Sequence, residues 1–424
     1  MRPIFSLGPF LRAILAQALI IVLLLASGCV PANPALAPGT PPASQITPLS
    51  ATSAPPTATI PPTQTRPPSP TPAPSATPSL TPPASPASPS LVITPTLTSL
   101  HMLDESNGWG LTYQRVLKTT DGGAAWMDVT PAGLSQPASL LAFFLDLKTA
   151  WILAASGGDF FNGMLFRTVD GGITWTSVKV PFSGGSLYFL DETHGWDLFA
   201  SDCGAGSCGG SLYQSSDGGE TWTELLKIDQ HSNDNPKAIP LAGDKTGITF
   251  ADQMHGWVSG TEPMDNYAYL FSTQDGGSAW GHQDLSLPQG YTPAQLAVDP
   301  PRFFTSQDGL LPVHIFSGEK SGLLFYLTQD GGKTWTPGTP TGVSGSYSFI
   351  SMQDIWVWDG ETMMVTQDGG KTWAKVAPNV NLSQIIMQID FVTQGVGWVI
   401  TMDADGKGQL LKTLDGGKTW APVH

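Results

Sequence analysis

From residue 97 onward the chain alternates apolar and polar positions in short runs, as in Ser186–Leu190, Gly247–Phe250, Ser346–Ile350 and Gln388–Phe391. A period of two turns one face of an extended segment into a core, so each run predicts a strand. A second kind of apolar run opens at Gly108-Trp109, Trp151, Gly195-Trp196, Gly256-Trp257, Ile355-Trp356 and Gly397-Trp398, with Asp308-Gly309-Leu310 in the corresponding fifth place. A further apolar segment follows each, then Asp-Gly-Gly-x-x-Trp, whose tryptophan starts another strand. Strand signals recur at about eight to twelve residues and no helical period is sustained, which predicts an all-β domain.

The Asp-Gly-Gly-x-x-Trp segment occurs seven times, at Asp121, Asp170, Asp217, Asp275, Asp330, Asp368 and Asp415, with spacings of 49, 47, 58, 55, 38 and 47 residues. Those spacings suit one four-stranded sheet each, predicting a seven-bladed β-propeller over residues 97–424. Within the segment an aspartate accepts nearby backbone N–H groups and glycine supplies positive φ, the chemistry of a tight hairpin. Thirteen of the 14 tryptophans occupy the two repeating positions, with Trp358 the exception; they are expected to pack blades rather than to stack ligands. The first repeat has its own inner strand near Leu97 and the last its own outer strand at Trp420. Closure is therefore expected from packing of blades one and seven, with Leu91-Val92-Ile93 as an alternative extra strand on blade seven.

The segment resembles the Asp-box, or BNR, repeat of sialidases, sortilin-type receptors and photosystem II assembly factors. That resemblance implies a structural role for the seven aspartates, away from any ligand. Sialidases bind a substrate carboxylate with three arginines and carry Arg-Ile-Pro before the repeats. From residue 97 onward the arginines here are Arg115, Arg167 and Arg302, and no Ile-Pro follows Arg302. The seven repeats and the Gly-Trp plus Asp-Gly-Gly-x-Thr-Trp rhythm are more similar to the photosystem II assembly and stability factors, which the resemblance portrays as chaperones docking through a basic, arginine-rich patch. This chain lacks such a patch, so the resemblance implies the fold and not a photosynthetic role.

Before Asp104 no carboxylate occurs, and 21 of the 38 prolines lie between Pro31 and Pro95 among Ser, Thr and Ala. Residues 30–96 are thus expected to be a disordered tether, reaching roughly 200 Å if fully extended. Arg2 and Arg12 precede an apolar run that ends Leu25-Ala26-Ser27-Gly28-Cys29. The run has the length of an export signal rather than of a membrane span. Its end resembles the bacterial lipobox, which implies a signal over residues 1–29, lipidation at Cys29 and an exported protein anchored on the outer face of the cell membrane. All 34 acidic residues but only 16 of the 19 basic ones belong to the folded part. So acidic a surface excludes nucleic acid as an expected partner.

In a propeller the third-to-fourth strand hairpins share one face, so working loops are expected on the face opposite the Asp-Gly-Gly turns. Long connections there are predicted at 155–163, 199–210, 226–245, 259–267, 281–300 and 314–322, all in blades two to five. Asp159, Phe160, Phe161, His231, Asp265, Tyr267 and Tyr291 are the candidate contact residues on them. In an oxidising compartment Cys203 and Cys208 are expected to form a disulfide. Only His194 stands near them as a further ligand, and Asp403-Ala-Asp405-Gly406 lacks the later carboxylates of a calcium loop, so neither metal nor cofactor is expected. The sequence thus predicts a monomeric, non-catalytic surface lipoprotein that binds protein or glycan. The alternative is an extracellular glycoside hydrolase acting through paired carboxylates.

Overall fold

The computed structural model describes residues 90–134, 137–155, 161–204, 206–383 and 385–423. The signal, Cys29 and nearly all of the tether lie outside the described residues, as do Asp159 and Phe160. Among the described residues the strands form seven antiparallel units in chain order. From the inside outward, blade one is Ser99–Met102, Gly108–Leu111, Val116–Thr119 and Trp126–Asp128. Blade two is Ser139–Phe144, Ala150–Ala155, Gly163–Thr168 and Thr176–Val180. Blade three is Ser186–Phe189, Gly195–Gly204, Ser207–Ser215 and Thr223–Ile228. Blade four is Asp244–Phe250, Gly256–Thr261, Leu270–Thr273 and Gly281–His282. Blade six is Ser346–Phe349, Ile355–Trp358, Met363–Thr366 and Ala374–Val376, and blade seven is Ile386–Phe391, Gly397–Met402, Gly408–Thr413 and Ala421–Pro422.

Blade five departs from this pattern. Pro300 and Pro301 cannot donate to a ladder, and its inner strand is split into Gln295–Val298 and Arg302–Phe303, both paired to Gly309–Ser317. Its third and fourth strands are Lys320–Thr328 and Thr336–Pro337. The upstream piece also reaches blade four, where Thr261 pairs with Ala297.

Between blades, five of the six second-strand tryptophans lie on an aromatic ring from the next inner strand, Trp398 at the ring closure being the exception. Trp109 stacks on Phe144, Trp151 on Phe189, Trp196 on Phe250, Trp257 on Phe303 and Trp356 on Phe391, at 3.7–5.2 Å between centroids. Burying one indole removes roughly 200 Å² from water, worth about 5 kcal/mol, so this repeated pair is a main source of ring stability. The glycine before the tryptophan serves the same packing. A Cβ at Gly195 would lie 2.4 Å from the Phe189 ring of its own blade, so only glycine lets that ring cross the strand. In blade five Leu310, fully buried, replaces the tryptophan and packs with Phe325, Ile355 and Val357.

The ring closes by packing rather than by a shared strand. Leu97, Leu100, Met102, Leu117 and Trp126 of blade one form one core with Val396, Trp398 and Ile400 of blade seven. Trp398 Nε1–H donates to Gly122 O at 2.9 Å, and Gln388 exchanges two hydrogen bonds with the Leu100 backbone. Leu91–Val92 pairs with Trp126–Asp128 and so extends blade one, not blade seven. Its apolar side chain Val92 packs toward the closure core, which explains the choice.

Candidate functional site

One face of the disc carries the seven Asp-Gly-Gly turns, and their polar groups are consumed internally. In the first, Asp121 Oδ1 accepts from Ala125 N and from Thr119 Oγ1, both at 2.9 Å, while Thr119 Oγ1 accepts from Gly123 N. Gly122 and Gly123 have φ of 76° and 95°, a conformation that glycine adopts without steric cost. In every blade the first glycine N–H donates to the turn between strands one and two, as in Gly122 to Ser106 O and Gly416 to Gly395 O. Those turns are themselves led by an acceptor side chain: Asp104, Asp146, Asp191, Asp252, Thr305, Ser351 and Thr393. Hydrogen bonds from Thr334 and Thr372 hold the carboxyls of Asp330 and Asp368 down at about 2. Their charges are committed to the turns. The same face holds a groove of about 470 Å³ between blades five and six, lined in part by Phe304, Leu327, Ile350 and Met352. It lies beside the position where Leu310 stands for the missing tryptophan.

On the opposite face blades three to five rise into a connected shelf. The segments 199–210 and 314–322, expected as loops, are long hairpins instead, because Gly195–Gly204 pairs with Ser207–Ser215 and Gly309–Ser317 with Lys320–Thr328 nearly to their tips. Cys203 and Cys208 face each other in register and are joined by a disulfide. Gly206 O accepts from Gly243 N, and Cys208 N donates to Leu241 O, tying the blade-three hairpin to the link into blade four. Lys245 Nζ sits among the carbonyls of Cys208, Leu241, Ala242 and Gly243 at 2.8–3.2 Å and over the ring of Tyr269. Burial pulls this ammonium down to about 8 against the pull of Asp244 and Glu262. Further round, Asn266 N donates to Ala294 O, Ser317 Oγ to Pro293 O and Lys320 Nζ to Gly290 O.

This shelf gathers Asp265, Tyr267 and Tyr291 on blades four and five. Tyr267 lies flat on His282 at 4.6 Å, Tyr291 lies under Lys320 Nζ at 5.3 Å, and Asp265 is exposed beside Met264. Phe161, 57% exposed on blade two, turns its ring edge toward Phe199 of the blade-three hairpin. His231 is exposed in the short helical turn Gln230–Asp234, whose start is capped by Asp229, and it belongs to the link rather than to the shelf edge. Among the described residues no group of three or more His, Cys, Asp or Glu side chains converges as a metal site would require.

The sequence reading missed a third region, the central channel. Three residues before each first turn stand His101, Phe143, Tyr188, Thr249, Arg302, Ser348 and Asp390, one per blade. They link neighbouring blades: Phe143 meets Tyr188 edge-on at 5.4 Å, Tyr188 OH donates to Phe250 O, Ser348 Oγ accepts from Phe391 N, and Asp390 Oδ2 accepts from Met102 N at 2.7 Å. Innermost strands have no partner on the channel side, so Ser348 and Asp390 satisfy backbone N–H groups, and Tyr188 a carbonyl, that would otherwise be orphaned. Arg302 of blade five acts electrostatically on His101, Tyr188 and Asp390 in blades one, three and seven, so its guanidinium reaches into the channel. Burial, then the charge of Arg302, lowers His101 to about 4. Burial raises Asp390 to about 7, against the Met102 N–H and the charge of Arg302. Beyond the ring, Asp299 Oδ2 accepts from Tyr347 OH at 2.9 Å and faces His314 Nε2 at 3.5 Å, whose Nδ1 faces Ser344 Oγ at 3.2 Å. The one sequence signal for the ring was register: counting back from each turn aligns these seven positions, six of them polar or titratable in a place that also has to tolerate water.

No protein-family model matches the chain, and no curated protein is similar to it in sequence. Its fold is similar to solved structures. A GH74 xyloglucanase from Xanthomonas campestris shares 12% identity with a TM-score of 0.54, over 78% of this chain and 55% of that one. An oligogalacturonate lyase from Vibrio parahaemolyticus shares 9% with a TM-score of 0.53, over 78% and 98%. YCF48 bound to D1 peptide shares 16% with a TM-score of 0.49, over 78% and 97%. Identities this low carry the fold alone.

Proposed function

We propose that this chain is a non-catalytic, partner-binding propeller, held on the outer face of a membrane by lipid at Cys29 and set off from it by the tether. The shelf on blades three to five carries the reading. Three adjacent blades extend their edges on one face and lock them to each other, and such preorganisation lowers the ordering cost of binding. The exposed Met264 and Asp265, with half-buried Tyr267 and Tyr291 beside them, mix apolar and acidic chemistry suited to a protein partner with basic and apolar groups. The test is a panel of proteins and glycans presented to the full chain. Binding that is lost on Met264→Asp or Tyr267→Ala but kept on Ile173→Ala, a 67% exposed residue of an Asp-Gly-Gly turn, supports the reading. Binding that only Ile173→Ala abolishes sinks it.

A glycoside hydrolase is the second reading, favoured by Asp390, whose carboxyl at about 7 has the protonation a general acid needs. The charge that bears on it is that of Arg302, however, and paired-carboxylate hydrolysis needs a second carboxylate within about 5–10 Å. Turnover of a glycoside library that Asp390→Asn abolishes would replace the first reading with this one.

A further inference from the structure

We propose that the central channel is a binding site for a monocarboxylate, held on the guanidinium of Arg302. The site is independent of the shelf. Among the described residues Arg302 makes no ion pair and no hydrogen bond, although protein surrounds it, and the channel leaves it open to solvent. A cation so placed has no carboxylate within ion-pair distance, with Asp390 acting on it only from farther off, and an anion entering the channel would supply that direct contact. On one side the guanidinium carbon lies 5.6 Å from the ring centroids of both Phe304 and Phe349, which stand 6.0 Å from each other. The rings take none of its N–H groups in a conventional hydrogen bond, so its fork of donors remains the recognition surface, and a planar carboxylate matches that fork with two parallel hydrogen bonds.

The surroundings narrow the class further. Asp390 acts electrostatically on Arg302 and keeps one oxygen on Met102 N, so its carboxylate would repel a dianion such as phosphate more than a monoanion. His101 from blade one and Tyr188 from blade three complete the neighbourhood of Arg302, and Tyr188 already spends its hydroxyl proton on Phe250 O. A singly charged carboxylate therefore fits better than a phosphoryl group. It can come as a free small acid or as the carboxylate end of a longer chain.

The experiment uses the full chain in detergent, with acetate as the free acid, N-acetylglycylglycine as the chain end, and acetamide and phosphate as shape and charge controls. Binding is read by calorimetry and by saturation transfer to the ligand methyl groups. We expect saturable binding of at least one carboxylate, no binding of acetamide, and weaker binding of phosphate. Whichever carboxylate binds more tightly identifies the source. Arg302→Met should weaken binding by about tenfold or more, while Arg115→Met, at an exposed arginine paired with Asp128, should leave it unchanged. Asp390→Asn removes the competing negative charge and should strengthen it. Equal affinity in Arg302→Met, absence of any carboxylate binding, or phosphate binding as tightly as the carboxylates overturns the proposal. Should Arg302→Met fail to fold, Asp390→Asn decides, and an affinity no stronger than that of the unaltered chain counts against the site.

Discussion

The two faces of this disc are stabilised by different physics. On the Asp-Gly-Gly face each blade repeats one local device, in which an aspartate and a hydroxyl close a turn within a few residues and a glycine N–H pins it to its neighbour turn. On the opposite face the blade-three hairpin, the 226–245 link and the 290–294 segment are held by contacts made once each, between residues far apart in the chain. Local devices survive as sequence motifs because their partners sit at fixed offsets. Single long-range contacts leave no such trace, and this is also the face free to diverge toward a partner.

That contrast can be broken in four ways. The largest effect is expected beneath both faces, in the packing they share: Trp196→Ala, which empties a fully buried site stacked on Phe250 at 3.7 Å, should cost about 3–5 kcal/mol in chemical denaturation. A loss under 1 kcal/mol would mean that blades three and four do not depend on the stack. On the shelf, Lys245→Met leaves four backbone carbonyls without their cation and should cost roughly 2–3 kcal/mol. The diagnostic is hydrogen exchange, which should quicken at 206–208 and 241–243 and stay unchanged at the Asp-Gly-Gly turns.

Asp330→Ala removes a single turn's acceptors and should cost about 1–2 kcal/mol, confined by hydrogen exchange to residues 328–336. Spread of the effect to other blades would show that the turns are coupled rather than autonomous. The smallest effects concern pH, where the two regions should differ in sign. Asp330 and Asp368 titrate lower in the folded chain than in the unfolded one, so the stability they contribute is present above about 4 and is lost as pH falls toward about 2. Asp390 titrates higher when folded, so stability declines as pH rises from about 4 to about 7, and Asp390→Asn should flatten that limb. Asp197, fully buried in blade three with neither oxygen hydrogen-bonded, is shifted in the same direction by burial. Asp197→Asn should therefore also reduce the decline; a slope unchanged in both variants would remove these two residues as its cause.

Asp197 also marks a limit of pattern reading. It sits one residue after Trp196, where other blades place Gly110, Ile152, Val258, Leu311, Val357 and Val399, and nothing in a linear string says that no hydrogen-bond donor meets its carboxyl there. Likewise the apparent loops 199–210 and 314–322 proved to be strands, since Gly, Ser and Cys at a hairpin tip and Gly318-Glu319 at another read as irregular until the partner strand supplies their hydrogen bonds.

What the amino-acid string determined by itself was whatever repeats at short range. Seven Asp-Gly-Gly-x-x-Trp turns, a glycine before a tryptophan, and an alternating inner strand sufficed for an all-β ring of seven sheets, because each needs only its near neighbours to be satisfied. The tertiary structure alone decided three other matters: that Leu91–Val92 joins blade one, that blades three to five fuse into a shelf, and that His101, Tyr188, Arg302 and Asp390 meet around one channel. Those outcomes depend on distances between residues dozens to hundreds of positions apart, and such distances exist only once the ring has closed.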